Sequence, residues 1–215
     1  MVEMTLDATR IPEPRRASPF VALVGRVVFR LLGWKCKGET PTANKYVILA
    51  APHTSNWDGF FLILAAAMLK LDFSFFGKDT LFKGPLGWFL RSVGGIPLDR
   101  SRHQSFVAQA VSWFESHERF ALGVAPEGTR QFTPGWRRGF YYIALQAKVP
   151  IVMGIIDYGK KFITVGPWIM PTGDVDADLE KIRAVYAGSW GRHPELQVEA
   201  RFRPESTANS PADAE

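Results

Sequence analysis

The sequence predicts a single α/β domain, with a mostly parallel or mixed central sheet flanked by helices and an amphipathic helix in front of it. Three observations carry this expectation. Short apolar runs of strand length alternate with longer helical patterns, as in strand–helix–strand units. The 215 residues suffice for one sizeable core. Apolar residues make up 47% and charged residues 22%, an ordinary globular balance with no repeat or long internal linker.

The elements follow in order. Residues 1–17 are polar and proline-containing, and are expected to be disordered, as is the tail 204–215, "PESTANSPADAE". The domain is expected over 18–203. Its first part, 18–37, reads as an interfacial segment with a helix over 18–33. That helix is apolar through Phe20, Leu23, Val24, Val27, Val28, Leu31 and Leu32, and Arg26 and Arg30 interrupt it one turn apart. It falls short of the ~20 apolar residues of a spanning helix. Two readings remain open at this point: a helix lying in a membrane interface with its arginines on lipid phosphates, or a helix packed on the domain. "YVILA" (46–50) predicts a buried strand and "GFFLILAAAMLKL" (59–71) a helix. "FSFFG" (73–77) is a strand, and "GPLGWFLRSVG" (84–94) a short helix with Pro85 in its first turn. "GGIPL" is a short strand, and residues 101–116 a helix with Ser101 as cap. Then come a strand at "RFALGVAP", a helix at "GFYYIALQAK", strands at "VPIVMGIID" and "KFITVG", and a capped helix over 174–188. "LQVEARF" (196–202) alternates like an exposed or edge strand.

Composition narrows the function. Cys36 is the single cysteine, so no internal disulfide can form. The formal net charge of +5 favours anionic partners. No basic run interleaved with aromatics singles out nucleic acid, so none is expected. Neither a His-Glu-x-x-His motif nor a cysteine pair points to a metal. No Gly-x-Ser-x-Gly elbow is present. A signal peptide is not expected, because the apolar stretch begins only after Pro12, Pro14 and Pro19.

Four motifs stand out. In "APHTSNWDG", His53 follows a strand and Asp58 precedes a helix. On one helix, five steps of ~100° would set them ~140° apart, on different faces. They meet only if His53 sits on a turn and Asp58 in the first helical turn, with Ser55 or Asn56 as cap. The carboxylate would then fix one imidazole nitrogen and leave the other as a proton acceptor. The alternative is a structural His–Asp pair. In "VAPEGTR", Gly128 permits close backbone approach, while Thr129 and Arg130 suit a phosphate. Alone, an ordinary strand-end turn explains it as well. "GGIPLDRSR" places Arg100 after a short strand, and "KVPIVMGIID" is a core strand.

Taken in this order, His-x4-Asp, Gly-Ile-x-Leu-Asp-Arg, Pro-Glu-Gly-Thr-Arg and Val-Pro-Ile-Val resemble the glycerophospholipid acyltransferase family, which includes lysophosphatidate and glycerol-3-phosphate acyltransferases. The resemblance runs over residues 18–193, and the "HTSNWD" and 173–195 stretches resemble a short subfamily. Pro52, Ala125, Gln131 and Met153 depart from the usual pattern. The resemblance implies transfer of a fatty acyl group from an acyl thioester, on coenzyme A or an acyl-carrier protein, to a hydroxyl of a lysophospholipid-like acceptor. It implies His53 as general base and Asp58 as its partner. Lys78, Arg100 and Arg130 would hold acceptor phosphate, with Glu127, Gly128 and Thr129 shaping that pocket. Phe75, Phe76, Leu81 and Phe82 would line an acyl channel. No cofactor beyond the donor is expected. The expected partners are membrane lipids, an anionic membrane surface and a carrier protein. The expected place is the cytoplasmic face of a membrane, peripherally bound, or the cytoplasm. Two rivals stand beside this reading. One is a peripheral lipid- or phosphate-binding protein of the same fold without catalysis. The other is a hydrolase using Ser55 as nucleophile.

Overall fold

The computed structural model describes residues 18–39, 42–98 and 105–204. Its strands are β1 (Lys35–Gly38), β2 (Lys45–Ala51), β3 (Phe73–Lys78), β4 (Gly95–Leu98), β5 (Phe120–Val124), β6 (Ile151–Asp157) and β7 (Phe162–Ile169). Its helices are α1 (Pro19–Leu32), α2 (Asn56–Met68), α3 (Gly84–Ser92), α4 (Phe106–Ser116), α5 (Gly139–Ala147) and α6 (Val175–Tyr186). The strands form one sheet in the order β1-β7-β6-β2-β5-β3-β4. From β6 to β4 all neighbours are parallel, whereas β7 runs antiparallel to β6 and carries β1 beside it. The sheet is therefore mixed, with a parallel majority, as the strand–helix alternation predicts.

The central strand β2 is buried at every position after Lys45, as expected of a strand covered on both faces. Strand alternation divides its side chains. Val47 and Leu49 join Phe114, Phe140, Ile143 and Ile182 on the face covered by α4, α5 and α6. Tyr46 and Ile48 meet Ala66 and Val152 on the face covered by α2.

Several boundaries differ from the sequence expectation. The segment 18–37 is not one element: α1 ends at Leu32, Gly33 takes a left-handed conformation at φ 72°, and 35–38 form edge strand β1. Lys-Cys-Lys-Gly has no apolar run to announce a strand; its pairing with Phe162–Val165 makes it one. One face of α1 is buried through Ala22, Gly25 and Phe29, with Phe29 against Phe61 of α2. The other face leaves Phe20, Leu23, Val27 and Leu31 exposed. Helix α2 starts three residues before the apolar run, because Ser55 and Asp58 form a capping box. Helix α4 is capped by Ser105, whose hydroxyl accepts from Ala108 N at 3.2 Å. Ser101 lies outside the described residues, as do 1–17 and 205–215, where disorder is expected. The edge strand expected over 196–202 does not form. Residues 194–196 make a 3₁₀ turn, and a single bridge joins Phe202 to Trp136. The alternation of Val198, Ala200 and Phe202 comes instead from packing on the α4–α6 core.

Candidate active site

Parallel strands bring their carboxyl ends to one edge of the sheet, where loops from neighbouring strands converge. Here the loop after β2 carries His53, the loop after its neighbour β5 carries Glu127, and the turn after its other neighbour β6 carries Tyr158. Lys78 ends β3, one strand further out.

Asp58 is fully buried at the third position of α2. Its Oδ2 accepts from the backbone N–H groups of Thr54 and Ser55, both at 2.8 Å. The same oxygen lies 3.1 Å from His53 Nδ1, close enough for an ion pair although the N–H points off the line of a good hydrogen bond. Oδ1 accepts from the Tyr158 hydroxyl at 2.6 Å. Burial raises the Asp58 pKa, but the adjacent His53 and hydrogen bonds from Tyr158 and the Ser55 backbone outweigh it and hold the carboxyl below its ordinary value. A carboxylate beside Nδ1 favours the proton there and leaves Nε2 as acceptor. The imidazole keeps 18% of its side-chain surface exposed, enough for a reactant to reach it.

Glu127 has only 2% of its surface exposed and faces inward, not towards an acceptor. Its Oε1 accepts from His53 N at 3.0 Å, tying the histidine loop to the "PEGTR" turn. Burial pushes its carboxyl up to about 6, against opposing hydrogen bonds from its own backbone and that of His53. The turn is itself held: Gly128 N donates to Ala125 O at 3.1 Å, Arg137 N to Pro126 O at 2.8 Å, and Arg203 Nη2 to Glu127 O at 2.8 Å. Gly128 adopts φ 65°, which a side chain would strain. Thr129 Oγ1 accepts from Gln131 N, and Arg130 is exposed.

The other expected residues scatter. Lys78 is exposed at the end of β3, and Arg100 lies outside the described residues. Phe75 and Phe76 are successive residues of β3 and point to opposite faces of the sheet. Phe76 packs against Phe106 and Trp113, Phe75 beside Phe73. Phe82 is buried with Arg91 over its ring, whereas Leu81 is 47% exposed. The four do not share one surface. Ser55 Oγ accepts from Trp57 N as the helix cap, and among the described residues no hydrogen bond joins it to His53, which removes the geometric basis of a Ser55 nucleophile. Tyr158 and Thr54 are the site residues that sequence reasoning passed over. Tyr158 lies a hundred positions from Asp58, and nothing local in "IDYGKK" marks it.

Fold and site together define an α/β protein with a close histidine–carboxylate pair at the carboxyl edge of its parallel strands. The family model described as Acyltransferase matches residues 34–156, and the chain belongs to that family. It is 32% identical over 130 residues to a 1-acyl-sn-glycerol-3-phosphate acyltransferase of Saccharomyces cerevisiae, covering 57% of this chain and 42% of that protein. A protein of the same description from Streptococcus pneumoniae is 30% identical over 143 residues, covering 62% of this chain and 52% of the relative. The chain thus spans about half the length of these relatives. The fold is similar to the crystal structure of the 1-acyl-sn-glycerophosphate (LPA) acyltransferase PlsC from Thermotoga maritima. That similarity has a TM-score of 0.55 and 19% identity, covering 78% of this chain and 75% of that one.

Proposed function

We propose that this protein is an O-acyltransferase that moves a fatty acyl group from an acyl thioester to a hydroxyl of a lysophosphatidate-like acceptor, with His53 as general base. The observation that carries this reading is Asp58, buried and 3.1 Å from Nδ1 of a partly exposed His53. Nε2 takes the proton of the acceptor hydroxyl as its oxygen attacks the thioester carbonyl. The C–S bond breaks, and the departing thiolate takes the proton from the imidazolium. Asp58 stabilises that imidazolium, and no acyl-enzyme is required. Arg130, exposed on the turn after β5, and Lys78, exposed at the end of β3, would supply charge for an anionic headgroup, with Arg100 as a third cation. The donor is coenzyme A- or carrier-protein-bound.

The exposed face of α1 supports peripheral membrane attachment. Phe20 is 72% and Leu31 78% exposed, with Arg26 and Arg30 beside them, the composition of an interfacial helix. Among the described residues, no helix is long and apolar enough to cross a membrane.

The test supplies purified protein with acyl-CoA donors of several lengths, acyl-carrier protein, and lyso-phospholipid and neutral hydroxyl acceptors, and measures thiol release and product lipid. His53→Ala is expected to lose roughly 10² to 10⁴ in rate. No transfer by the wild type to any acceptor, with vesicle binding retained, would favour a lipid-binding protein instead. Transfer to neutral hydroxyls alone would move the acceptor class.

A further inference from the structure

We propose that Tyr158 is a positioning residue for the His53–Asp58 pair and that the 189–197 segment straps it in place. This rests on the reading of His53 as base. Asp58 offers two oxygens in a site with no exposure to solvent. Oδ2 is engaged by Thr54 N, Ser55 N and His53 Nδ1. Among the described residues, the Tyr158 hydroxyl, at 2.6 Å, is the one hydrogen-bond donor to Oδ1. Without it, a carboxylate oxygen is left buried and unsatisfied, and the carboxylate can rotate away from the imidazole. The hydroxyl stays protonated and donates to Oδ1, because burial and the neighbouring Asp58 push its ionisation far above the usual tyrosine range.

The ring has little freedom. It stands perpendicular to Trp34 at 4.9 Å and to Phe61 at 6.2 Å, while Trp34 and Phe61 stack at 4.4 Å. Its backbone N–H donates to Trp190 O at 2.8 Å. From there the segment crosses the histidine loop. Gly191 passes so near Thr54 that a Cβ would lie 2.8 Å from Oγ1, and His193 N donates to that Oγ1 at 3.1 Å. Gln197 closes the strap, accepting from Gly191 N at 2.7 Å and donating to Ser189 O at 2.9 Å. Arg192 lies over the Trp57 ring at 5.6 Å and next to the Tyr158 hydroxyl. One segment thus touches both the residue that donates to Oδ1 and a residue that donates to Oδ2. Tyr158 and the strap both follow the span 34–156 matched by the family model.

The test is a double-mutant cycle on the full chain with palmitoyl-CoA and lysophosphatidate, read as thiol release across pH. Tyr158→Phe keeps the ring and removes the donor. Its kcat is expected to fall on the order of tenfold, with both KM values about unchanged. The acid limb of kcat is expected to move to higher pH, because Asp58 with one donor fewer holds the His53 proton more tightly. Among the described residues, the charged and titratable groups around that imidazole include Asp58 on α2, Glu127 after β5, and Tyr158 and Arg192 behind Asp58. In an Asp58→Asn background, Tyr158→Phe is expected to add nothing. Wild-type kcat and pH profile in Tyr158→Phe, beside an inactive His53→Ala, overturn this proposal and leave the catalytic reading standing. Additive losses in the cycle overturn it too. Full turnover by His53→Ala instead overturns the catalytic reading. If Tyr158→Phe does not unfold cooperatively, Gly191→Ala replaces it in the cycle; it displaces the strap from Thr54, and an unchanged kcat overturns the proposal.

Discussion

Replacing Glu127 by glutamine should stabilise the protein at neutral pH and leave it nearly unchanged in acid. The carboxyl ordinarily titrates at 4.5, and burial in the fold lifts it to about 6. At about 1.4 kcal/mol per pH unit, that difference is a cost of about 2 kcal/mol for keeping the charge inside. The sign follows from the raised folded value. Below pH 4.5 the group is neutral both folded and unfolded, and the fold bears no penalty. As pH rises through 6 the unfolded chain is already ionised while the folded one resists, and stability is lost. Glutamine removes the charge and keeps an oxygen to accept from His53 N, which Oε1 now does at 3.0 Å. Its amide nitrogen takes the place of Oε2, which has no hydrogen-bond partner among the described residues, and is a donor there as the O–H of the protonated acid is. Urea unfolding of both proteins from pH 4 to pH 8 should give curves that meet in acid and separate by about 2 kcal/mol above neutrality. A constant offset at every pH, or a glutamine variant less stable at pH 8 than at pH 4 relative to wild type, would refute the reasoning.

Two other outcomes follow from the site and from α1. Arg130→Ala should raise the acceptor KM by about tenfold or more, the value of a charge-assisted hydrogen bond, and move the donor KM less; unchanged kinetics with every phosphorylated acceptor would remove Arg130 from the binding site. Arg26→Glu combined with Arg30→Glu should sharply reduce co-sedimentation with anionic vesicles, since each basic residue near such a surface contributes about 1 kcal/mol. Activity on a short-chain, water-soluble acceptor should fall less, and undiminished vesicle binding would rule out this face of α1 as the contact.

Signals confined to a few neighbouring residues were legible in the sequence. The placement of His53 on a turn, with a cap at Ser55 or Asn56 and Asp58 in the first helical turn, follows from local spacing, because a helix N-terminus is satisfied by residues within one turn. The apolar runs of β2 and β6 announce themselves because both faces are covered. What was hidden depends on distant partners. Strand β1 exists through Phe162–Val165, and the apparent strand at 196–202 dissolves because its alternating residues pack on helices and find no ladder. The sequence assigns Glu127 to shaping an acceptor pocket, and only the fold turns it inward onto the backbone of His53. Phe75 and Phe76 look like one greasy patch until the pleat separates them.

The reversal at β7 means that kinship and self-sufficiency have different borders in this chain. The span shared with the family closes at Ile156, one residue before β6 ends, yet β1 falls inside it and has β7 as its neighbour in the sheet. A polypeptide cut there would keep Lys35–Gly38 with nothing to pair against and would bare the flank of β6. Ile163 and Val165 would vanish from beneath α1 and α2, and Trp34 would lose the tyrosine it stands against. A minimal folded fragment therefore has to extend well beyond the matched span, at least through the last turn that presses on Thr54.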